Sequence, residues 1–169
     1  MKKIIICAME SEAEHLRGLG FDVCVTGVGV LNVINSLSSL LAAGKVLPDD
    51  QVINVGYAGS TVFKAGEVVS VRKSRRYNQP KAIKEQEFFL KTVNGCKKAI
   101  CLTSDDFVEE KGSYQAVDME LAYICAFFND VISLKIISDN GDYLQYKKFN
   151  EAEAWKKVNL ILRRLNENN

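Results

Sequence analysis

Histidine and proline are nearly missing from this chain, with 1 and 2 copies in 169 residues. One histidine, His15, rules out a His-rich zinc site, and a Ser-His-Asp or Cys-His catalyst could form only around that ring. His15 lies beside Glu12 and Glu14 in a helical pattern and reads as a solvated or capping residue. The five cysteines, Cys7, Cys24, Cys96, Cys101 and Cys125, include no CxxC pair and read as buried thiols within strands and helices. No apolar run approaches the roughly 18 residues that span a bilayer. Neither charge dominates: 22 basic against 21 acidic residues leave +1, too little to steer toward nucleic acid or an anionic membrane. The opening run Ile4-Ile5-Ile6 meets Glu10, Glu12 and Glu14 too soon for a signal peptide and reads as a first buried strand. A cytoplasmic protein is expected.

What the chain does have is 47% hydrophobic residues, in Val- and Ile-rich runs alternating with amphipathic stretches. Its length suits one domain, with no internal repeat and no linker, so a single domain over 1–169 is expected. Residues 4–8, 21–27, 51–55, 66–72, 98–103 and 131–138 read as strands. Residues 10–19, 31–43, 116–128 and 150–165 read as helices. The basic run 72–76 reads as a solvated turn, and 78–94 as a polar stretch around the apolar island Phe88-Phe89-Leu90. Strands apolar throughout are buried on both faces, which calls for helices on either side: an α/β fold, helix–sheet–helix.

In such folds ligands gather at the carboxyl ends of strands. Those ends carry Ala8-Met9-Glu10-Ser11-Glu12, Gly56-Tyr57-Ala58-Gly59, Ser104-Asp105-Asp106-Phe107 and Ser138-Asp139-Asn140-Gly141-Asp142. A further acidic group, Asp118-Met119-Glu120, lies in the segment read as helix 116–128. Singly, Glu12 reads equally well as a solvated helix residue, Asp139 as a turn-former and Glu120 as a helix-end acid. Several carboxylates gathered at one rim would repel one another unless used, which points to a site. Gly27-Val28-Gly29 lacks the third glycine of a dinucleotide fingerprint.

Six stretches, in order, resemble the purine nucleoside phosphorylase/nucleosidase superfamily, most closely the 5′-methylthioadenosine/S-adenosylhomocysteine nucleosidases. They are Ile5-Ile6-Cys7-Ala8-Met9-Glu10-Ser11-Glu12, Val25-Thr26-Gly27-Val28-Gly29-Val30-Leu31-Asn32, Val52-Ile53-Asn54-Val55-Gly56-Tyr57-Ala58-Gly59, Gly66-Glu67-Val68-Val69, Ala116-Val117-Asp118-Met119-Glu120 and Ile136-Ile137-Ser138-Asp139. The resemblance implies a three-layer α/β/α sandwich around a mixed sheet, and hydrolysis of the N-glycosidic bond of a purine nucleoside, adenine in particular. Substrates such as 5′-methylthioadenosine or S-adenosylhomocysteine are implied, with no metal or organic cofactor and a homodimer as the favoured assembly.

It also implies roles. Glu12 would activate the attacking water and Asp139 would protonate purine N7. Glu120 would accept hydrogen bonds from the ribose hydroxyls, with Met119 against the sugar. Phe107 would stack on the purine, and Val108 would offer backbone groups to its edge. Met9, Tyr57, Ala58, Gly59, Asp118 and Lys135 would complete the pocket. Three departures stand out. The region between Asn78 and Lys98 is shorter than in the family, Tyr57 replaces a small hydroxyl residue, and Lys135 replaces an arginine, which keeps the charge but loses the planar fork. Two alternatives stay open: a nucleoside-binding homologue without catalysis, and a phosphorylase. Where phosphorylases place arginines, this chain has Glu12 and Asn54, and a carboxylate at Glu12 opposes phosphate.

Overall fold

Alternate residues of the first strand part to opposite sides, and the whole architecture follows from that alternation. The computed structural model describes residues 2–77, 85–109 and 112–167. In β1 (Lys3–Cys7), Ile4 and Ile6 join one apolar cluster while Ile5 and Cys7 join another. The first cluster takes Val33 and Leu37 from α2 (Val30–Ala42) and Leu121 and Ile124 from α3 (Leu121–Phe127). The second takes Ala13 and Leu16 from α1 (Glu10–Leu16) and Trp155, Val158 and Leu162 from α5 (Ala152–Glu167).

The remaining strands are β2 (Asp22–Val25), β3 (Gln51–Gly59), β4 (Val68–Arg76), β5 (Glu87–Phe89), β6 (Lys97–Thr103), β7 (Ala116–Asp118) and β8 (Asp130–Asp139). With a short α4 (Tyr143–Lys148), the described residues form a mixed eight-stranded sheet and five helices. β1 pairs in parallel with β2 and β3, β3 in parallel with β8, and β8 antiparallel with β4. β4 then pairs in parallel with β6 and antiparallel with β5. Because β1, β3 and β8 run the same way, their carboxyl ends share one rim. A register shift between Ala58 and Gly59 sets Gly59 opposite Asp139 there. Among the described residues no helix is long and apolar enough to cross a membrane.

Several elements differ from their sequence expectation. The stretch 116–128 is two elements: Ala116–Asp118 pairs with β6 as β7, and the helix begins only at Leu121. Asp118 makes the break, since its Oδ2 accepts from the Leu121 N–H at 2.9 Å. The basic run is strand, because β4 continues to Arg76. Lys73, Arg75 and Arg76 are each paired, with Glu87, Glu85 and Asp105 respectively, so charges on a paired strand hid its period. The strand expected over 51–55 extends through the Gly56–Gly59 segment. β5 and α4 are too short to show a period and were not foreseen. His15 is neither a cap nor merely solvated: it stacks on Trp155, ring centroids 4.6 Å apart, with Glu151 at 3.7 Å. Cys7, Cys101 and Cys125 are buried as expected, but Cys24 and Cys96 are only partly so, and Cys96 lies outside any strand or helix. Part of the region read as shortened, residues 78–84, lies outside the described residues.

Candidate active site

Glu12 sits in the first turn of α1, directly after β1, where its carboxylate folds back on the helix start. Its Oε2 accepts from the backbone N–H groups of Ala8 and Met9, each at 2.9 Å, and Oε1 accepts from the Tyr57 N–H at 3.3 Å. The side chain is thus both a helix cap and a fixed acid with 1% exposure. Gly56 makes room for it, since a Cβ there would stand 3.1 Å from Glu12 Oε1. The end of β8 supplies Asp139, whose Oδ2 accepts from the Ser138 hydroxyl at 2.7 Å and Oδ1 from the Gly141 N–H at 2.9 Å. Gly59 makes room for this acid: a Cβ there would lie 2.9 Å from Asp139 Oδ1.

Glu120 projects from the residue preceding α3, and its Oε1 accepts from the Gly29 N–H at 2.8 Å. Gly29 has φ +85°, a conformation that favours glycine, and this turns its N–H toward the acid. Asp118 accepts from the Thr103 hydroxyl and forms a 2.7 Å ion pair with Lys135, whose side chain is 1% exposed.

One cavity of about 300 Å³ gathers these groups. Its lining includes Met9, Glu12, Tyr57, Ala58, Gly59, Phe107, Asp118, Met119, Glu120, Lys135 and Asp139, every expected site residue but Val108. Val108 lines a smaller adjoining cavity with Gly59, Phe107, Asp118, Met119 and Asp139. Burial pushes the Glu12 carboxyl above its usual range, opposed by the Met9 N–H and the Lys135 ammonium. Burial and then Asp118 push Glu120 up to about 7, against the pull of Lys135 and the Gly29 N–H. Burial would push Lys135 down, but its ion pair with Asp118, with Glu120 nearby, outweighs this and pushes it up. A buried ammonium beside clustered acids lets more than one of them stay ionised.

Tyr57 lines the cavity, yet its hydroxyl turns away and accepts from the Trp155 indole N–H at 2.9 Å. Its backbone N–H, not its hydroxyl, reaches Glu12. Sequence reasoning missed Gly29, although the Gly27-Val28-Gly29 turn was in view. It also missed Tyr143 and Tyr146, whose i, i+3 spacing on α4 was the available signal. Asn54, Ser138 and Thr26 complete the polar wall.

No protein-family model matches the sequence, and no curated protein sequence does. Solved structures do match. A 5′-methylthioadenosine/S-adenosylhomocysteine nucleosidase of Neisseria meningitidis, in complex with methylthio-immucillin-A, superposes with TM-score 0.79 at 18% identity, covering 97% of this chain and 100% of that one. A nucleosidase of the same kind from Colwellia psychrerythraea, in complex with adenine, gives 0.79 at 19%, covering 98% and 95%. Futalosine hydrolase of Helicobacter pylori gives 0.78 at 20%, covering 98% of each chain. The chain has the fold of the purine nucleoside phosphorylase/nucleosidase superfamily. Within it, the matched fold is that of the 5′-methylthioadenosine/S-adenosylhomocysteine nucleosidases and futalosine hydrolase.

Proposed function

We propose that this chain is a single nucleosidase-like domain that hydrolyses the N-glycosidic bond of a purine nucleoside, adenine nucleosides first among them. One observation carries the reading: Glu12, Glu120 and Asp139, from three separate elements, line one cavity in a fold shared with nucleosidases. The apolar clusters on alternate strand residues support a three-layer α/β/α arrangement that holds them there.

Water attacks C1′ of the sugar and gives a proton to Glu12. The C1′–N9 bond breaks, its electron pair stays with the purine, and Asp139 hands a proton to N7. The products are free purine and a sugar with a new hydroxyl at C1′. The sugar passes through a cationic, oxocarbenium-like state, which the carboxylates of Glu12 and Glu120 stabilise. Glu120 accepts hydrogen bonds from the ribose hydroxyls, Met119 packs on the sugar, and Phe107 stacks on the base with Val108 at its edge.

Lys135, ion-paired with Asp118, completes the pocket wall. The Tyr57 geometry favours catalysis over a degenerate binding role, because the replaced side chain leaves the Glu12 hydrogen bonds in place. A homodimer belongs to this reading. The test is release of free base from adenosine, inosine and 5′-methylthioadenosine, with and without phosphate. Turnover in phosphate-free buffer that yields free ribose or a 5′-substituted ribose is the expected result. Turnover only with phosphate, with a sugar 1-phosphate accumulating, overturns hydrolysis.

A further inference from the structure

Tyr146 reaches the cavity from α4, and none of the steps above uses it. Its ring is held by aromatic neighbours: edge-on to Tyr57 at 6.1 Å, stacked with Tyr143 at 6.3 Å and tilted against Phe107 at 6.4 Å. The hydroxyl is much less well provided for. Among the described residues its only hydrogen-bond partner is the Met9 thioether sulfur, 4.0 Å away, a weak acceptor. Tyr146 lines the same cavity as Glu12, Glu120 and Asp139, and burial, then Glu12 and Asp139, hold its phenolic proton on. A phenol O–H at the cavity wall whose acceptor is only a thioether gains free energy when a ligand oxygen supplies a stronger one.

The parts of a nucleoside settle which oxygen that is. On the reading above, Asp139 takes the base, Glu12 the anomeric carbon and Glu120 the 2′ and 3′ hydroxyls. The part left over is the 5′ group. Thr26, Asn54 and Ser138 already bond within the protein, and of the two phenols left over Tyr143 is exposed while Tyr146 is closed in by Tyr57, Phe107 and Tyr143. Room is limited too. A cavity of about 300 Å³ lies at the bottom of the range for small-molecule sites, and Tyr57, which packs edge-on to Tyr146, is itself backed by Phe149 and Trp155.

We propose that Tyr146 is a specificity-determining residue that donates its hydrogen bond to an oxygen at the 5′ position, so that the site selects nucleosides with a free 5′-hydroxyl over those with a 5′-thioether. The proposal rests on the nucleosidase reading. A thioether gains little from this donor, because sulfur is the acceptor the phenol already has in Met9.

The experiment measures kcat/KM for adenosine, 5′-deoxyadenosine and 5′-methylthioadenosine with the unaltered protein and Tyr146→Phe, a substitution that keeps the ring, with thermal melts to establish folding. The unaltered protein is expected to prefer adenosine over both analogues, and Tyr146→Phe to lower that preference by about tenfold, the loss of one hydrogen bond. An unaltered protein without that preference, or a variant that slows all three substrates alike, overturns the role of Tyr146 and leaves the nucleosidase reading standing. No base release from any of the three by the unaltered protein overturns that reading, and this proposal with it.

Discussion

Asp139 and Glu12 are both buried carboxylates, and the proposed reaction gives them opposite tasks. Asp139 accepts from a hydroxyl on one oxygen and a backbone N–H on the other, at the end of β8 on the cavity wall. Asp139→Asn keeps the size and some of the hydrogen bonding but cannot give a proton. The expected result is a kcat lowered by about 10²-fold or more with a much smaller change in KM, read by steady-state kinetics. Unchanged turnover would reduce Asp139 to a turn residue. Glu12 must be ionised to accept the proton of water, and its burial raises the pH at which it loses that charge. The acid limb of the kcat/KM profile should therefore lie above the ordinary glutamate range near about 4.3, with activity falling as pH drops through it. A limb at the value of an exposed glutamate would contradict the role of burial.

At the scale of elements, the sheet positions the acids as much as the acids themselves do. β3 carries glycine at the two places where a side chain would collide with Glu12 and Asp139. Gly59→Ala puts a methyl 2.9 Å from Asp139 Oδ1 and 3.3 Å from Val117, between neighbours with little freedom to move. The expected outcome is a folded protein, with far-ultraviolet circular dichroism unchanged, whose kcat falls toward that of Asp139→Asn. Full activity would show that the carboxylate has room to shift. Much of this level was legible in the sequence, because the rim residues follow Ile- and Val-rich runs of strand character. The break at Asp118 was not, since apolar spacing over 116–128 fits a helix and only the tertiary pairing of Ala116–Asp118 with β6 overrides it. The basic strand was missed for the opposite reason: its partners Glu85, Glu87 and Asp105 are remote in sequence, so nothing local showed that its charges would be matched.

At the scale of the molecule, one cavity is assembled from segments as far apart as Met9 and Tyr146, and motif order along the chain pointed to most of it. What motif order could not supply was which contacts folding would make: the Gly29 N–H on Glu120, the aromatic wall of α4, and the outward turn of the Tyr57 hydroxyl. Each depends on a partner brought in by folding. The central claim is that these carboxylates gather around a nucleoside, and the most direct measurement is a crystal structure of the Asp139→Asn protein soaked with adenosine. The purine is expected between Phe107 and residue 139, with N7 within hydrogen-bond distance of the residue 139 side chain. The ribose hydroxyls are expected on Glu120, with C1′ facing Glu12. A nucleoside bound elsewhere, or seated in this cavity with its ribose away from Glu120, would contradict the claim.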